Sequence, residues 1–217
     1  NILDLSKLEA KALQLEKKAF AIRTLVNSLI HTFKLKCNEK GIQLLAEIDE
    51  NIPNYISGDP IKLSQVLTNL LGNAIKFTCE GHVKLIVKLT ASTSEKLDLN
   101  FSVIDTGSGI PEDKLQSIFE EFSQASYEVN LEYGGTGLGL TISQQLLKLH
   151  GSEIKVESVL GEGSEFSFDI TYEKYTNSVN EMDADDSIQR KKLDLAKLLI
   201  VEDNPVNIFV ISEYLKE

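Results

Sequence analysis

The 217-residue chain is 42% hydrophobic and carries 22 basic against 33 acidic residues, a net charge of −11. That composition supports an ordinary folded core, and the acid excess excludes a surface built mainly for nucleic acid or an anionic membrane. Cys37 and Cys79 show neither metal-ligand nor disulfide-framework spacing; no apolar run reaches membrane-spanning length and no signal peptide is visible, so a cytosolic location without membrane contact in this stretch is expected, any anchor of a full-length protein lying outside it.

Ile2, Leu5, Leu8, Ala12 and Leu15 recur at spacings of three and four, which predicts a helix over residues 1–18. A helix already running at residue 1 leads us to expect an excerpt from a longer protein, and its apolar stripe calls for a partner helix. A second amphipathic helix is predicted over 20–37, with Ile22, Leu25, Val26, Leu29, Ile30 and Phe33 inward and Gly41 as its stop. His31 beside that face is read as packing or solvent-exposed. Ile42, Leu44, Ala46 and Ile48 alternate as a strand, and 51–60, with two prolines and a glycine, reads as a loop.

Asp59 before Pro60 is a helix start, a capping carboxylate followed by the favoured first-turn proline. The helix over 60–77 is mostly apolar, yet Gln65, Asn69, Asn73 and Lys76 fall on one face of it. Asparagine is a mediocre helix former and costly to bury unpaired. Two asparagines one turn apart, with a lysine below, read as a polar face aimed at a ligand. Val83–Leu89 and Leu97–Val103 alternate as a hairpin, and the second strand runs into DTGSGIP at 105–111. Asp105 thus sits at a strand end with Gly107 and Gly109 close behind, a carboxylate at a pocket rim. Residues 112–122 read as a short helix with Phe119 and Phe122 as core anchors. The aperiodic stretch 123–133 is where a mobile lid would sit.

GGTGLGL at 134–140 holds four of the chain's 13 glycines and opens a helical pattern through Ile142, Leu146, Leu147 and Leu149. A glycine loop running into a helix presents free N–H groups and the positive dipole end to an anion, which points to phosphate. The helix should stop at Gly151, and His150 at its end is explained by the dipole. Ile154 and Val156 pair in pattern with Phe166, Phe168, Ile170 and Tyr172 around Gly161-Glu162-Gly163. Residues 173–192 are polar and acid-rich, a linker. Leu198-Leu199-Ile200-Val201 reads as a buried parallel strand ending in Glu202 and Asp203, two acids suited to Mg²⁺.

QVLTNLLGNAIKF, DTGSGIP, IFEEF and GGTGLGL, in that order, resemble the N, first glycine, F and second glycine boxes of the histidine-kinase catalytic domain. That domain belongs to the ATPase superfamily shared with type II topoisomerases and heat-shock chaperones. ILDLSKLEA resembles the end of a second dimerisation helix, and LLIVEDNPVN the first strand and acidic pocket of a response-regulator receiver. Together they resemble a hybrid sensor histidine kinase: residues 1–18 the end of the dimerisation domain, 19–173 the ATP-binding domain, 174–195 a linker, and 196–217 the start of a receiver. The resemblance implies an α+β sandwich, a mixed β-sheet covered on one face by helices in the Bergerat-type ATP-binding fold.

It also implies roles. Asp105 would accept from the adenine amino group, with Gly107, Gly109 and Ile110 against the base. Asn73 would ligate Mg²⁺, Asn69 would support metal and phosphate, and Lys76 would contact phosphate or ribose, Asn69 and Lys76 being the catalytic pair. Gly135, Thr136, Gly137, Leu138, Gly139 and Leu140 would cradle phosphate, and Phe122, with Phe119, would order the lid. Hydrolysing relatives carry a glutamate at the position of Asn69; an amide is a poor base, so ATP would await an external nucleophile. That nucleophile is implied to be a histidine on a dimerisation helix before residue 1, since His31, His82 and His150 do not sit in the acceptor motif. The implied partners are a second copy through the dimerisation helices, the chain's own phosphoacceptor helix, and a receiver or downstream phosphotransfer protein, the receiver metal being held by Glu202 and Asp203. No basic residue lies between Phe119 and Leu147, which supports a second reading: a nucleotide-binding pseudokinase or dimerisation scaffold with weak or no transfer.

Overall fold

A computed structural model describes residues 15–120 and 138–175, and the statements below concern those residues. In chain order they form β1 (Lys18–Ala21), α1 (Ile22–Lys40), β2 (Gln43–Ile48), β3 (Tyr55–Gly58), α2 (Pro60–Phe77), β4 (His82–Ser92), β5 (Lys96–Asp105), two 3₁₀ turns (Glu112–Lys114 and Ser117–Phe119), α3 (Gly139–Leu149), β6 (Lys155–Val159) and β7 (Gly163–Lys174). The strands make one sheet in the order β1-β3-β7-β5-β4-β2, with β6 also paired to β7. Only β2 and β4 run parallel; the β4–β5, β5–β7, β6–β7, β3–β7 and β1–β3 pairs are antiparallel. The sheet is therefore mixed, as expected.

Period-two alternation sends Val83, Leu85, Val87, Leu99, Phe101, Val103, Phe168 and Ile170 into one core with α1, α2 and α3. Phe101 and Phe168 stack there with ring centroids 5.0 Å apart. The opposite face is polar: Asn100 and Lys155 both reach Asp169, and Thr171 Oγ1 donates to Asp98 at 2.6 Å. No described helix is long and apolar enough to cross a membrane.

Helix α2 buries more residues than either of the other two described helices. Leu63, Leu67, Leu70, Leu71 and Ile75 are each at most 1% exposed, and burying one such side chain contributes about 1.5–3 kcal/mol. That outweighs the few tenths of a kcal/mol lost at each asparagine through helix propensity. Both ends of α2 are fixed. Asp59 Oδ1 accepts from the backbone N–H groups of Ile61 and Lys62 at 3.0 and 2.9 Å, and Pro60 starts the first turn, as the sequence predicts. At the other end Lys40 donates to the carbonyls of Ile75, Lys76 and Thr78 at 2.7, 3.0 and 3.0 Å, placing a cation at the negative end of the dipole.

Four expectations change. The helix expected over residues 1–18 does not reach its predicted end, because residues 15–17 are irregular and Lys18 already belongs to β1, while residues 1–14 lie outside the described residues. The 20–37 helix begins at Ile22, because Lys18–Ala21 is extended and pairs with Tyr55–Gly58; that pairing also turns part of the expected 51–60 loop into β3. The 112–122 helix is replaced by two 3₁₀ turns as far as Glu120. The dipole does not explain His150. Its ring lies 6.4 Å from that of Tyr172, its Nε2 is buried without a hydrogen-bond partner, and burial lowers its pKa. A histidine held towards its neutral form gains little from the dipole, so packing fixes it. Gly41 and Gly151 do end their helices in the left-handed region, with φ of 71° and 70°.

Candidate functional site

Asp105 closes β5, directly opposite Ser164 of β7. It is 6% exposed. Its Oδ1 accepts from the N–H of Gly107 at 2.8 Å. Burial pushes the Asp105 carboxyl above the usual range, and the backbone N–H groups of Gly107 and Ser164 oppose that shift without cancelling it. A buried carboxylate with only backbone partners retains acceptor capacity for a ligand.

The glycines around Asp105 are required by contact. A Cβ at Gly107 would meet the Phe77 carbonyl at the end of α2, and one at Gly109, whose φ is +67°, would collide with the Val159 carbonyl. Gly163, at φ +124°, leaves the same lack of room beside the Asp105 carbonyl. The DTGSG loop is thus clasped between the end of α2 and the β6–β7 turn. Gly161 N–H donates to the Ser108 carbonyl at 2.8 Å, and Ile110 N–H donates to Ser158 Oγ at 2.8 Å.

On the other side of α2, Asn69 Nδ2 donates to Ser143 Oγ at 2.9 Å. A Cβ on Gly139 would collide with the side-chain oxygen of Asn69. The glycine therefore lets α3 begin hard against Asn69. Leu138, the N-cap of α3, is 2% exposed and offers no capping oxygen, so the first-turn N–H groups of α3 lack a side-chain cap of their own. Thr141 Oγ1 donates to the Phe119 carbonyl at 3.1 Å, tying α3 to the last 3₁₀ turn. Leu140 and Phe119 are half-buried against the core.

A groove of about 1090 Å³ runs between α1, α2 and the start of α3, lined by Asn69, Asn73, Gly139 and Ser143 together with Ser28 and Thr32 of α1. It joins the two asparagines to Gly139; Asp105, Gly107, Gly109 and Ile110 do not line it. Lys76 is likewise off the groove, its Nζ 4.8 Å from the Phe77 ring centroid. Burial first, and the charge of Lys36 second, lower its pKa from the ordinary lysine value. The sequence-predicted face therefore divides: Gln65, Asn69 and Asn73 line the groove, while Lys76 stacks by Phe77. Phe122, Gly135, Thr136, Gly137, Glu202 and Asp203 lie outside the described residues.

Thr141, Ser158 and Ser164 belong to this neighbourhood without a local sequence signal, and Gly163, read from the sequence only as part of a turn, belongs to it too. Ser143 also belongs to it; it follows Gly139 by one turn, a spacing that could have flagged it. Ser158 and Ser164 become visible only through strand register, and Thr141 only through the packing of α3 on the last 3₁₀ turn.

No group of three or more His, Cys, Asp or Glu side chains able to hold a metal occurs among the described residues. The oxygen donors near Gly139 are amides, which suit a hard cation arriving with a ligand's own oxygens.

The sheet, the clasped aspartate and the glycine-opened helix define an ATP-binding domain. Residues 58–174 match the family described as "Histidine kinase-, DNA gyrase B-, and HSP90-like ATPase", and the chain belongs to that family. It is 38% identical to hybrid signal transduction histidine kinase K of Dictyostelium discoideum, over 100% of this chain and 19% of that protein. To the signal transduction histidine-protein kinase BarA of Escherichia coli strain K12 it is 36% identical, over 89% of this chain and 21% of that one. The chain thus spans about a fifth of the length of these curated relatives. Among solved structures it is similar to full-length ShkA in complex with AMPPNP, with a TM-score of 0.70 and 31% identity over 82% of this chain and 36% of that chain.

Proposed function

We propose that this chain is the ATP-binding catalytic portion of a hybrid sensor histidine kinase, which passes the ATP γ-phosphoryl to a histidine on a dimerisation helix for relay to a receiver aspartate. The observation that carries this reading is the arrangement about α2. A buried carboxylate with spare acceptor capacity stands at one end of the helix, and two amides oppose an uncapped helix start along its side.

In this reading Asp105 accepts from the adenine amino group, with Gly107, Gly109 and Ile110 at the base. Asn73 holds Mg²⁺ and the Asn69 oxygen supports it; the ion neutralises phosphate charge when bound. The first-turn N–H groups of α3, with Gly135, Thr136, Gly137, Leu138, Gly139 and Leu140, receive phosphate. Lys76 contacts phosphate or ribose, which requires its ammonium to leave Phe77. Asn69, bonded to Ser143, cannot act as a base towards water, so the site holds ATP for an outside nucleophile.

Residues 1–18 are assigned to the dimerisation helix, 19–173 to this domain, 174–195 to a linker and 196–217 to a receiver whose Glu202 and Asp203 bind Mg²⁺. Strand β1 begins at Lys18, which supports a first boundary close to this residue. The partners are a second copy through the dimerisation helices, the chain's own phosphoacceptor helix, and a receiver or downstream phosphotransfer protein. A longer version that includes the upstream helix should label itself from γ-labelled ATP. Mg-ATP binding without labelling would favour the scaffold reading, which rests on the absence of any cation between Phe119 and Leu147. Absence of Mg-ATP binding by the present chain, with Asp105→Asn no different from the parent, would overturn the site assignment.

A further inference from the structure

Ser158 is the most fully specified hydroxyl at the Asp105 end. It lies directly across from Ser164 in the β6–β7 ladder, and its Oγ has three partners: the N–H of Ile110 at 2.8 Å, the carbonyl of Gly163 at 2.9 Å and Ser164 Oγ at 3.0 Å. A serine hydroxyl has one proton and two lone pairs. The Gly163 carbonyl can only accept, so it takes the Ser158 proton. The Ile110 N–H can only donate, so it takes one lone pair. The remaining lone pair must receive the Ser164 proton.

The contact between the two hydroxyls therefore runs one way, with Ser164 donating. That leaves Ser164 Oγ with lone pairs only, while its backbone N–H faces the Asp105 carboxylate. Without the Ser158 Oγ, the Ser164 proton is free to turn towards other acceptors, the Asp105 carboxylate or a keto oxygen of a ligand among them. The Ile110 N–H also loses its partner.

We propose that Ser158 is a positioning residue that sets base specificity: by holding the Ser164 proton it keeps the Asp105 rim made of acceptors, matched to a purine that offers an amino group and mismatched to one that offers a keto oxygen. This rests on the nucleotide-site reading above. It gives Ser158 a role that contacts with a ligand would not reveal, because it acts through Ser164.

Dissociation constants for Mg-ATP and Mg-ITP, which differ in the amino-to-keto exchange, test this on the 217-residue chain. Ser158→Ala should weaken ATP about tenfold while changing ITP less than about twofold, so that discrimination narrows about fivefold or more. Ser158→Thr, which keeps the hydroxyl, should restore the parental ratio. Ser158→Cys, similar in volume but a weak hydrogen-bonding group, should behave as Ser158→Ala even if the alanine variant folds poorly. In a Ser164→Ala background the Ser158 substitution should add less than about twofold. A parental ATP-to-ITP ratio in both Ser158→Ala and Ser158→Cys would overturn the proposal, as would effects at the two serines that multiply. Failure of the unmodified chain to bind Mg-ATP would remove the nucleotide reading itself, whereas parental binding that ignores Ser158 removes this proposal alone.

Discussion

Asp59 and Asp105 are both buried carboxylates, 2% and 6% exposed, each at an end of α2, and they do opposite work. Asp59 is saturated. Its Oδ1 holds the N–H groups of Ile61 and Lys62, and its Oδ2 accepts from Glu16 N–H at 3.0 Å, which ties the segment leading into β1 to the start of α2. Asp105 has two backbone donors, and burial still raises its pKa. Burial alone therefore does not mark a functional acid. What its oxygens already hold does, because a carboxylate with both oxygens tied to helix and strand backbone is committed to the fold.

The largest effect that would break this contrast is at Asp105. Asp105→Asn should weaken Mg-ATP about a hundredfold, measured by calorimetry, since a hydrogen bond to a charged acceptor is worth roughly 1.5–3 kcal/mol. The same change should not lower stability. A raised folded-state pKa means that this group favours folding below the ordinary aspartate pKa and that the benefit is lost as pH rises through the folded value. Asp105→Asn should thus raise the ligand-free Tm at pH 7, by roughly 2 °C, and the gain should shrink as the pH is lowered. A fall in Tm at pH 7 would contradict the assignment.

Asp59→Ala should behave in reverse. Loss of the cap and an unpaired Glu16 N–H should cost about 3 kcal/mol, a fall in Tm of roughly 9 °C. The folded fraction should bind Mg-ATP with parental affinity; a binding loss as large as that of Asp105→Asn would erase the distinction. Gly139→Ala comes next. Its methyl must displace the Asn69 oxygen, so Mg-ATP should weaken about tenfold, against a stability cost near 1 kcal/mol. The smallest effect concerns His150. Its depressed pKa gives stability that is present above the ordinary histidine pKa and is lost as pH falls below it towards the folded value. Replacing it with Gln should flatten the acid side of the Tm–pH curve, and an unchanged slope would show that His150 titrates as in the unfolded chain.

The two aspartates also differ in how much of them the sequence shows. Asp59 next to Pro60 is legible as a cap because capping is local, a matter of two or three residues and one turn of chain. Asp105 is legible as a strand-end acid followed by spaced glycines, but nothing local says that Gly107 is pressed against the Phe77 carbonyl or Gly109 against Val159. The split of the polar face is a further case. Periodicity puts Lys76 in line with Asn69 and Asn73, whereas its ammonium lies 4.8 Å from the Phe77 ring centroid and off the groove that the asparagines line. Strand β1 was missed because four residues leave almost no periodic signal, and its existence depends on pairing with β3.

Features that repeat at short range are legible from the residues alone: the amphipathic helices, the alternating strands of the β4–β5 and β6–β7 pairs, the Asp59 cap, the glycine stops, and the ordered motifs that resemble one ATPase family. Those follow from side-chain spacing of two or 3.6 residues and from backbone freedom at single positions. Which of those groups meet is a matter of how the chain packs in three dimensions. Ser143 reaches Asn69 across 74 residues, and Ser158 receives Ile110 across 48. Such partners are set by strand register and helix packing, and hydrogen-bond direction then follows from how many protons and lone pairs each group has to give.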